Sequence, residues 1–340
     1  MSQDTLSDVL RGVRLRGAVF FHVSGSSDWA VEAPPGSEIA PFLMRGVEHV
    51  IEYHAVTEGS CWAGIPGGQA VRLHAGDVVM FPHGDAHVVS SAPGMRGTPD
   101  LGWFPGAQVD QFPLRLTYNG QQLVQPAPPG YQADATIVCG FLGCDLHPFN
   151  PLVASLPRLL HQRATEDDAW LANFVLQALA ESRAGRPGAE AMLACMSEMM
   201  FVHAVRRYAD LLPADSAGWL AGLRDRFVGR ALALMHEQPA YDWTIEELGR
   251  RVGLSRSALH EHFLQLMGVP PMQYLAQWRM QAAARLLLDT RASVAAIALD
   301  VGYDSEAAFS RAFKRQVGTP PASWRRERDA TLADADHAAH

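Results

Sequence analysis

Along the first 150 residues, apolar and β-branched side chains come in short runs broken by Gly, Pro and polar turns. Strand-like segments fall at 18–23, 47–55, 69–73, 77–81, 87–90, 115–118 and 136–142. Many short strands at close spacing predict a β-sandwich or barrel. The Pro- and Gly-rich stretch 126–130 reads as a loop. Beyond residue 150 the period changes, and 152–161, 167–182 and 188–211 carry helical spacing. In the last of these, Met192, Cys195, Met196, Met199, Val202 and Val205 form a stripe, expected to be core or a dimer seam. Residues 212–218 read as a linker, and 219–328 is helical almost throughout. The expected organisation is a β-rich segment 1–150, a helical dimerisation or linker segment 151–218, a helical domain 219–328 and a flexible tail 329–340.

The helical domain contains a repeat. Thr244, Leu248, Val252 and Gly253 match Ser293, Ile297, Val301 and Gly302 at an offset of 49. Leu259, Phe263, Gly268 and the pair Pro270-Pro271 match Phe309, Phe313, Gly318 and Pro320-Pro321 at an offset of 50. The second turn therefore holds one extra residue, near Asp304 and Ser305. In each copy a Thr or Ser caps a short helix, with Glu247 placed to complete a capping box on Thr244. Apolar residues fall on one face, a Gly ends the helix in a left-handed turn, and Ser255 or Ser305 caps a second helix. Two short helices sharing a small core across a tight turn make a helix-turn-helix.

Between the copies, 272–290 reads as one helix with Leu275, Trp278, Ala282 and Leu286 on a face. At about 1.5 Å per residue it spans roughly 28 Å. A DNA turn is about 34 Å. A stiff spacer of that length can set two recognition helices in successive major grooves, which a helical domain of another kind would not need.

Charge modifies this picture. The net charge is −8, unusual for a DNA binder, but its distribution is uneven. Residues 1–220 carry 13 Lys+Arg against 22 Asp+Glu, and 221–328 carry 15 against 11. The basic excess lies where a phosphate-contacting surface is needed. No apolar run is long enough to span a membrane, and the early run 17–23 is too short for a signal peptide, so a cytoplasmic address is expected. Four scattered cysteines do not make a disulfide scaffold. Cys61 and Cys195 are expected to be buried fillers.

The repeat, most specifically from Ile297 to Arg325, resembles the AraC/XylS family of bacterial regulators, over about 226–326. The resemblance implies recognition helices at 255–265 and 305–316. Matching by position, Arg256, Ser257, His260 and Glu261 of the first, and Glu306, Ala307, Ser310 and Arg311 of the second, would face base edges. Arg311 suits bidentate reading of guanine. Arg250, Arg279, Lys314 and Arg315 would contact phosphates.

Within the β-rich half, Gly76 through Pro82-His83-Gly84 to His87 resembles the second motif of the cupin barrel. Glu52-Tyr-His54 with Glu58 resembles a degenerate first motif, Glu-x-His in place of His-x-His. These resemblances imply an α+β protein, a cupin-like barrel ahead of an all-α double helix-turn-helix. The effector pocket would hold His54, Glu58, His83 and His87. A zinc or iron site would draw on His54, His87, Cys139 and Cys144. Cys139 and Cys144 would alternatively form a thiol redox sensor.

Two functions follow. The first is a homodimeric, non-enzymatic transcription regulator, an activator by type, that binds double-stranded promoter DNA and RNA polymerase and senses a small molecule, metal or oxidant. The second is a metal-dependent, dioxygenase-like cupin enzyme with an accessory helical domain. The missing first His counts against the second.

Overall fold

A computed structural model of the chain describes residues 4–44, 46–99, 114–125, 127–165, 169–184 and 186–337. In chain order it begins α1 (Thr5–Gly12), β1 (Arg16–Gly25), β2 (Ala30–Ala33), α2 (Gly36–Leu43), β3 (His49–Gly64), β4 (Val71–His74), β5 (Val78–Phe81) and β6 (His87–Ser90). It continues β7 (Leu114–Tyr118), β8 (Leu123–Val124), β9 (Ala135–Cys144), α3 (Pro151–Ser155), β10 (Leu160–Gln162), α4 (Ala169–Ala184) and α5 (Ala189–Leu211). The rest is helical: α6 (Trp219–Arg224), α7 (Val228–Glu237), α8 (Ile245–Val252), α9 (Arg256–Met267), α10 (Pro271–Asp289), α11 (Val294–Asp300), α12 (Glu306–Val317) and α13 (Pro321–His337).

The architecture is α+β, with a curled β half-barrel and a helical reader. Leu15–Cys144 and Leu156–Arg207 form one compact unit, and Met1–Arg14, Asp145–Ser155 and Tyr208–His340 the other. These units cut across the segments expected from sequence. Helices α4 and α5 cluster with the sheet, whereas α1 and α3 cluster with the C-terminal helices. The expected tail is helical as far as His337.

In the β unit the strands run β10-β5-β3-β9-β1-β7-β8, with β2, β4 and β6 closing the other side through β3. The 16-residue β3 serves both sides: Glu52–Ala55 pair with β5, and Ser60–Gly64 pair with β4 and β6. A bulge between Val56 and Glu58 lies between these stretches. An inserted residue inverts the alternation of side chains. Before it Val56 faces the core; after it Cys61 and Ala63 do. All ten residues of β9 are buried, because one face lines the barrel interior while α4 and α5 cover the other. On that outer face the Tyr53 and Ser197 hydroxyls lie 2.6 Å apart, and Gly17 N–H donates to Glu198 Oε1 at 3.0 Å.

One reading of this region needs correction, and another divides. Residues 160 and 161, expected at the end of a helix, instead form β10 with Gln162 and pair with Met80, Val79 and Val78. The α5 stripe, expected to be core or a dimer seam, divides: Met192, Cys195 and Met199 are exposed, Met196 and Val202 are half-buried, and Val205 joins Leu193, Ser197, Met200, Phe201 and Ala204 on the buried face. A helix buries whichever face meets the sheet, and two apolar stripes compete on α5.

In the helical unit each expected cap forms. Thr244, Ser255, Ser293 and Ser305 accept from the N–H groups of Glu247, Ala258, Ala296 and Ala308. The reciprocal half of the capping box gives way to ion pairs, since the Glu247 carboxylate binds Arg250 and Arg251. Gly253 and Gly302 take φ of +86° and +85°, the left-handed turns the repeat requires. Phe309 and Phe313 are fully buried with Ile297, Val301 and Trp324, each ring contributing roughly 1.5–3 kcal/mol. The first copy repeats this with Leu248, Val252, Leu259 and Phe263.

Spacer α10 is buried more widely than its predicted face, at Tyr274, Leu275, Trp278, Met280, Gln281, Ala283, Ala284 and Leu287. It packs on α9, α11, α12, α13 and α1. Ala282 and Leu286 of the expected face are only half-buried.

Candidate functional site

Helices α9 and α12 are the second members of the two helix-turn-helix pairs, and each is anchored by its inward aromatic and aliphatic residues. Leu259 and Phe263 anchor α9, and Phe309 and Phe313 anchor α12. What remains faces outward. Arg256, Ser257, Glu261, Glu306, Ala307 and Arg311 are exposed, while His260 and Ser310 are half-buried. Arg256 Nη1 lies 2.9 Å from Glu246 Oε1, both side chains largely in solvent, a pair that adds little stability.

The four expected phosphate contacts divide. Arg250, Lys314 and Arg315 are exposed. Arg279 is committed elsewhere: its Nε donates to the Pro239 carbonyl at 2.7 Å and its Nη2 to the Tyr241 carbonyl at 2.9 Å. These bonds hold the 239–241 turn against the spacer helix. Sequence position alone does not reveal that use.

The β unit holds a cavity of about 690 Å³, within the range of small-molecule sites. Much of its wall is apolar, including Phe21, Val23, Val31, Ile39, Leu116 and Phe141. Its polar end gathers Glu52 and His54 of β3, His87 of β6 and Cys139 of β9. Glu52 and His54 share a face because side chains two apart on a strand point the same way.

The hydrogen bonds at that end fix the protons. His87 Nδ1 lies 2.9 Å from the Asp85 carbonyl oxygen, which only accepts, so Nδ1 carries the hydrogen. Burial pushes His87 down to about 4 and His54 well below its ordinary value, so both rings are neutral. His87 Nε2 is then an acceptor, and His54 Nε2, 2.7 Å away, donates to it. His54 Nδ1 therefore accepts from the Cys139 thiol, whose sulfur lies 3.0 Å away. Burial holds that thiol in its protonated form, well above the ordinary range. His87 also stacks on Phe81, with centroids 3.7 Å apart.

The expected pocket and metal sets need revision. Glu58 does not line the cavity: the bulge turns it outward, and it is exposed. His83 is exposed too, and its Nε2 donates to the Leu156 carbonyl at 2.8 Å. Cys139 and Cys144 lie five residues apart on a regular strand. They face opposite sides, roughly 17 Å apart, so they form neither a disulfide nor a shared metal site. Cys195, expected to be buried, is exposed.

Glu52 takes the place these residues leave. Glu52, His54 and His87 offer one ligand atom each within 4.8 Å of one another, a two-histidine, one-carboxylate set suited to iron or zinc. As arranged, the rings do not fit that use. Every ring nitrogen is engaged in the chain from Cys139 to Asp85. Two imidazoles on one tetrahedral ion stand roughly 3.3 Å apart at their nitrogens, whereas these stand 2.7 Å apart.

Comparison with known proteins agrees with both halves of this description. Residues 4–210 match the cupin family, and residues 248–327 match a helix-turn-helix domain family. The chain is 29% identical over 327 residues to an AraC-like transcription regulator of Streptomyces lividans, covering 95% of this chain and 98% of that one. It is 27% identical over 330 residues to the transcriptional regulator AlkR of Acinetobacter baylyi, covering 95% and 99%. It is 27% identical over 325 residues to the RCS-specific transcriptional activator RclR of Escherichia coli K12, covering 95% and 97%. The chain belongs to the cupin family and carries an AraC-type reader.

Within this cupin domain, Glu52 is the group beside His54 and His87 that the sequence reading left out of the pocket, and it also missed Glu32 and Arg96 on the wall. The signal was present, since Glu52 stands where the first histidine of the His-x-His motif is expected and shares the parity of His54. The pattern misleads at Glu58, whose parity is also even, because the bulge at residue 57 leaves no mark in the residue types. In the AraC-type reader the duplicated caps and glycines locate the second helix of each helix-turn-helix pair directly. No helix among the described residues is long and apolar enough to cross a membrane.

Proposed function

We propose that this chain is a cytoplasmic transcription regulator that binds promoter DNA sequence-specifically, and that a small molecule in the cupin cavity controls its occupancy of the promoter. The observation that carries the DNA reading is the duplicated helix-turn-helix on a rigid spacer, with a polar outer face on each recognition helix. Arg256, Ser257, His260, Glu261, Glu306, Ala307, Ser310 and Arg311 then meet base edges, and Arg250, Lys314 and Arg315 meet phosphates. Effector control requires different affinities of two conformations for the ligand.

A homodimer suits this role, and the exposed stripe Met192, Cys195 and Met199 on α5 is an apolar strip that a second copy can cover. Contact with RNA polymerase completes the reading for an activator. The enzyme alternative, a metal-dependent dioxygenase, draws no support from the ring nitrogens, which are bonded to one another and to protein groups.

The test is genome-wide mapping of DNA bound by the full chain, followed by titration of a recovered fragment across salt concentrations. A steep fall of affinity with salt is expected. Failure to enrich any fragment, or salt-independent binding, would overturn the DNA reading. Ligand control is tested on the same fragment with a small-molecule library; no compound altering occupancy would overturn that half alone.

A further inference from the structure

The polar end of the cavity has one unsatisfied group. Its histidines bond to each other, to Cys139 and to the Asp85 carbonyl. Glu52 does not share in this chain. Its carboxyl oxygens lie 3.8 Å from His54 Nε2 and from His87 Nε2, beyond hydrogen-bond reach. Among the described residues it has no hydrogen-bond partner, yet it is only 7% exposed and lines the cavity. A buried carboxyl without a partner is costly, and a ligand able to bond it would remove that cost.

The rest of the wall narrows the ligand. Arg96 is the guanidinium on the cavity wall, and it is already bound twice to Glu32, at 2.8 and 2.6 Å. The neutral histidines have no hydrogen left to donate into the cavity. Among the described residues, an anionic ligand would therefore meet two carboxyl groups and no free cation. A metal ion would have to break the His54–His87 bond and move a proton. An organic cation needs neither change.

We propose that the cavity takes a lipophilic organic amine, its ammonium group seated on Glu52 and its hydrocarbon body along the apolar wall. This deepens the effector reading above and rests on it. As the ammonium arrives, the carboxyl releases its proton to solvent, so the pair formed is carboxylate and ammonium. The apolar wall supplies affinity and Glu52 supplies selection by charge.

The experiment is calorimetric titration of the full chain with three probes of one chain length, decylamine, decanol and decanoate, below their micellar concentrations. Decylamine is expected to bind at least about tenfold tighter than decanol, the margin of a charge-assisted over a neutral hydrogen bond, and decanoate more weakly than both. Glu52→Gln is expected to remove that margin while leaving decanol affinity unchanged. Its thermal melt checks that it is folded, and if it is not, the three-probe series on the unmodified chain decides alone. Decanol or decanoate binding as tightly as the amine would overturn the proposal, as would a folded Glu52→Gln that keeps the margin. Zinc displacing the amine with higher affinity would also overturn it. Control of DNA occupancy by a neutral or anionic compound would leave the effector reading intact while removing the amine, so the two failures are distinguishable.

Discussion

Gln281 Nε2 donates a 2.7 Å hydrogen bond to the carbonyl oxygen of Gly12, joining the spacer helix of the reader to the first helix of the chain across 269 residues of sequence. The same side chain accepts at Oε1 from Phe149 N–H at 2.9 Å. It is 3% exposed. One amide thus fastens α1 and the strand-exit segment 145–155 to α10. Gln281→Leu removes both bonds and leaves the buried Gly12 carbonyl and the half-buried Phe149 N–H unpaired. A loss of about 1–3 kcal/mol is expected for each group so stranded. Urea unfolding checks this; an unchanged midpoint would show that the two bonds are dispensable.

Arg311 and Arg279 are both arginines of the reader, but their substitutions should act differently. Arg311 is exposed on α12, so Arg311→Ala should leave the melting temperature unchanged. It should cost about 1–3 kcal/mol at the cognate site and relax base preference at one position. Arg279→Ala removes two bonds to the 239–241 turn and should lower the melting temperature. Binding titrations on cognate and scrambled fragments, run beside thermal melts, separate the two effects.

The two turn glycines should not tolerate alanine equally. Gly253 has φ +86° with open space where a Cβ would sit, so Gly253→Ala costs about 1–2 kcal/mol of backbone strain alone. At Gly302 the same Cβ would lie 2.8 Å from Ala240 Cα as well. Gly302→Ala should therefore be the more damaging of the pair. Equal losses in paired unfolding curves would contradict the close approach to Ala240.

Thiol chemistry should single out Cys195. Cys61, Cys139 and Cys144 are buried and Cys195 is exposed. Ellman's reagent is expected to titrate one thiol in the native chain and all four after unfolding. Cys195→Ser should abolish the native signal. Diamide should yield no bridge between Cys139 and Cys144; a mapped peptide carrying one would mean that β9 comes apart.

Glu52 sets a pH dependence with a definite sign. Burial raises its carboxyl from 4.5 to about 8. The folded state therefore keeps a proton that the unfolded state releases, and stability is lost as pH rises from about 4.5 to about 8. His87 acts in the opposite direction, lowered from 6.5 to about 4. The unfolded state gains its proton first, so stability is lost as pH falls through that window. Glu52→Gln should gain on the unmodified chain steadily between pH 5 and 8, with no gain at the acid end of that range. Denaturant curves at several pH values measure it; parallel profiles would show that Glu52 is ionised in the folded chain.

The reader was legible because its information is local and duplicated. Cap, apolar spacing, glycine and Pro-Pro lie within one helical hairpin, and backbone hydrogen bonding and handedness demand the same residues each time. The barrel was legible as a class, through short strands and the Glu-x-His and Pro-x-Gly-x-x-His segments, but its pocket only in part: His54 and His87 line it, while Glu58 and His83 do not. Whether Glu58 faces in or out depends on one inserted residue in β3, which inverts alternation without changing composition. Whether Cys139 meets Cys144 depends on strand parity, and whether Met199 is buried depends on which face of α5 the sheet claims.

By itself, then, the chain of residues determined the two-part α+β organisation, both helix-turn-helix pairs and the turns within them, since each follows from contacts within a few residues. Tertiary structure alone decided that Glu58 turns away from the histidines, that Arg279 holds a turn, and that α1 belongs with the reader. These depend on pairings between distant segments, whose register and facing are settled only when the surfaces meet.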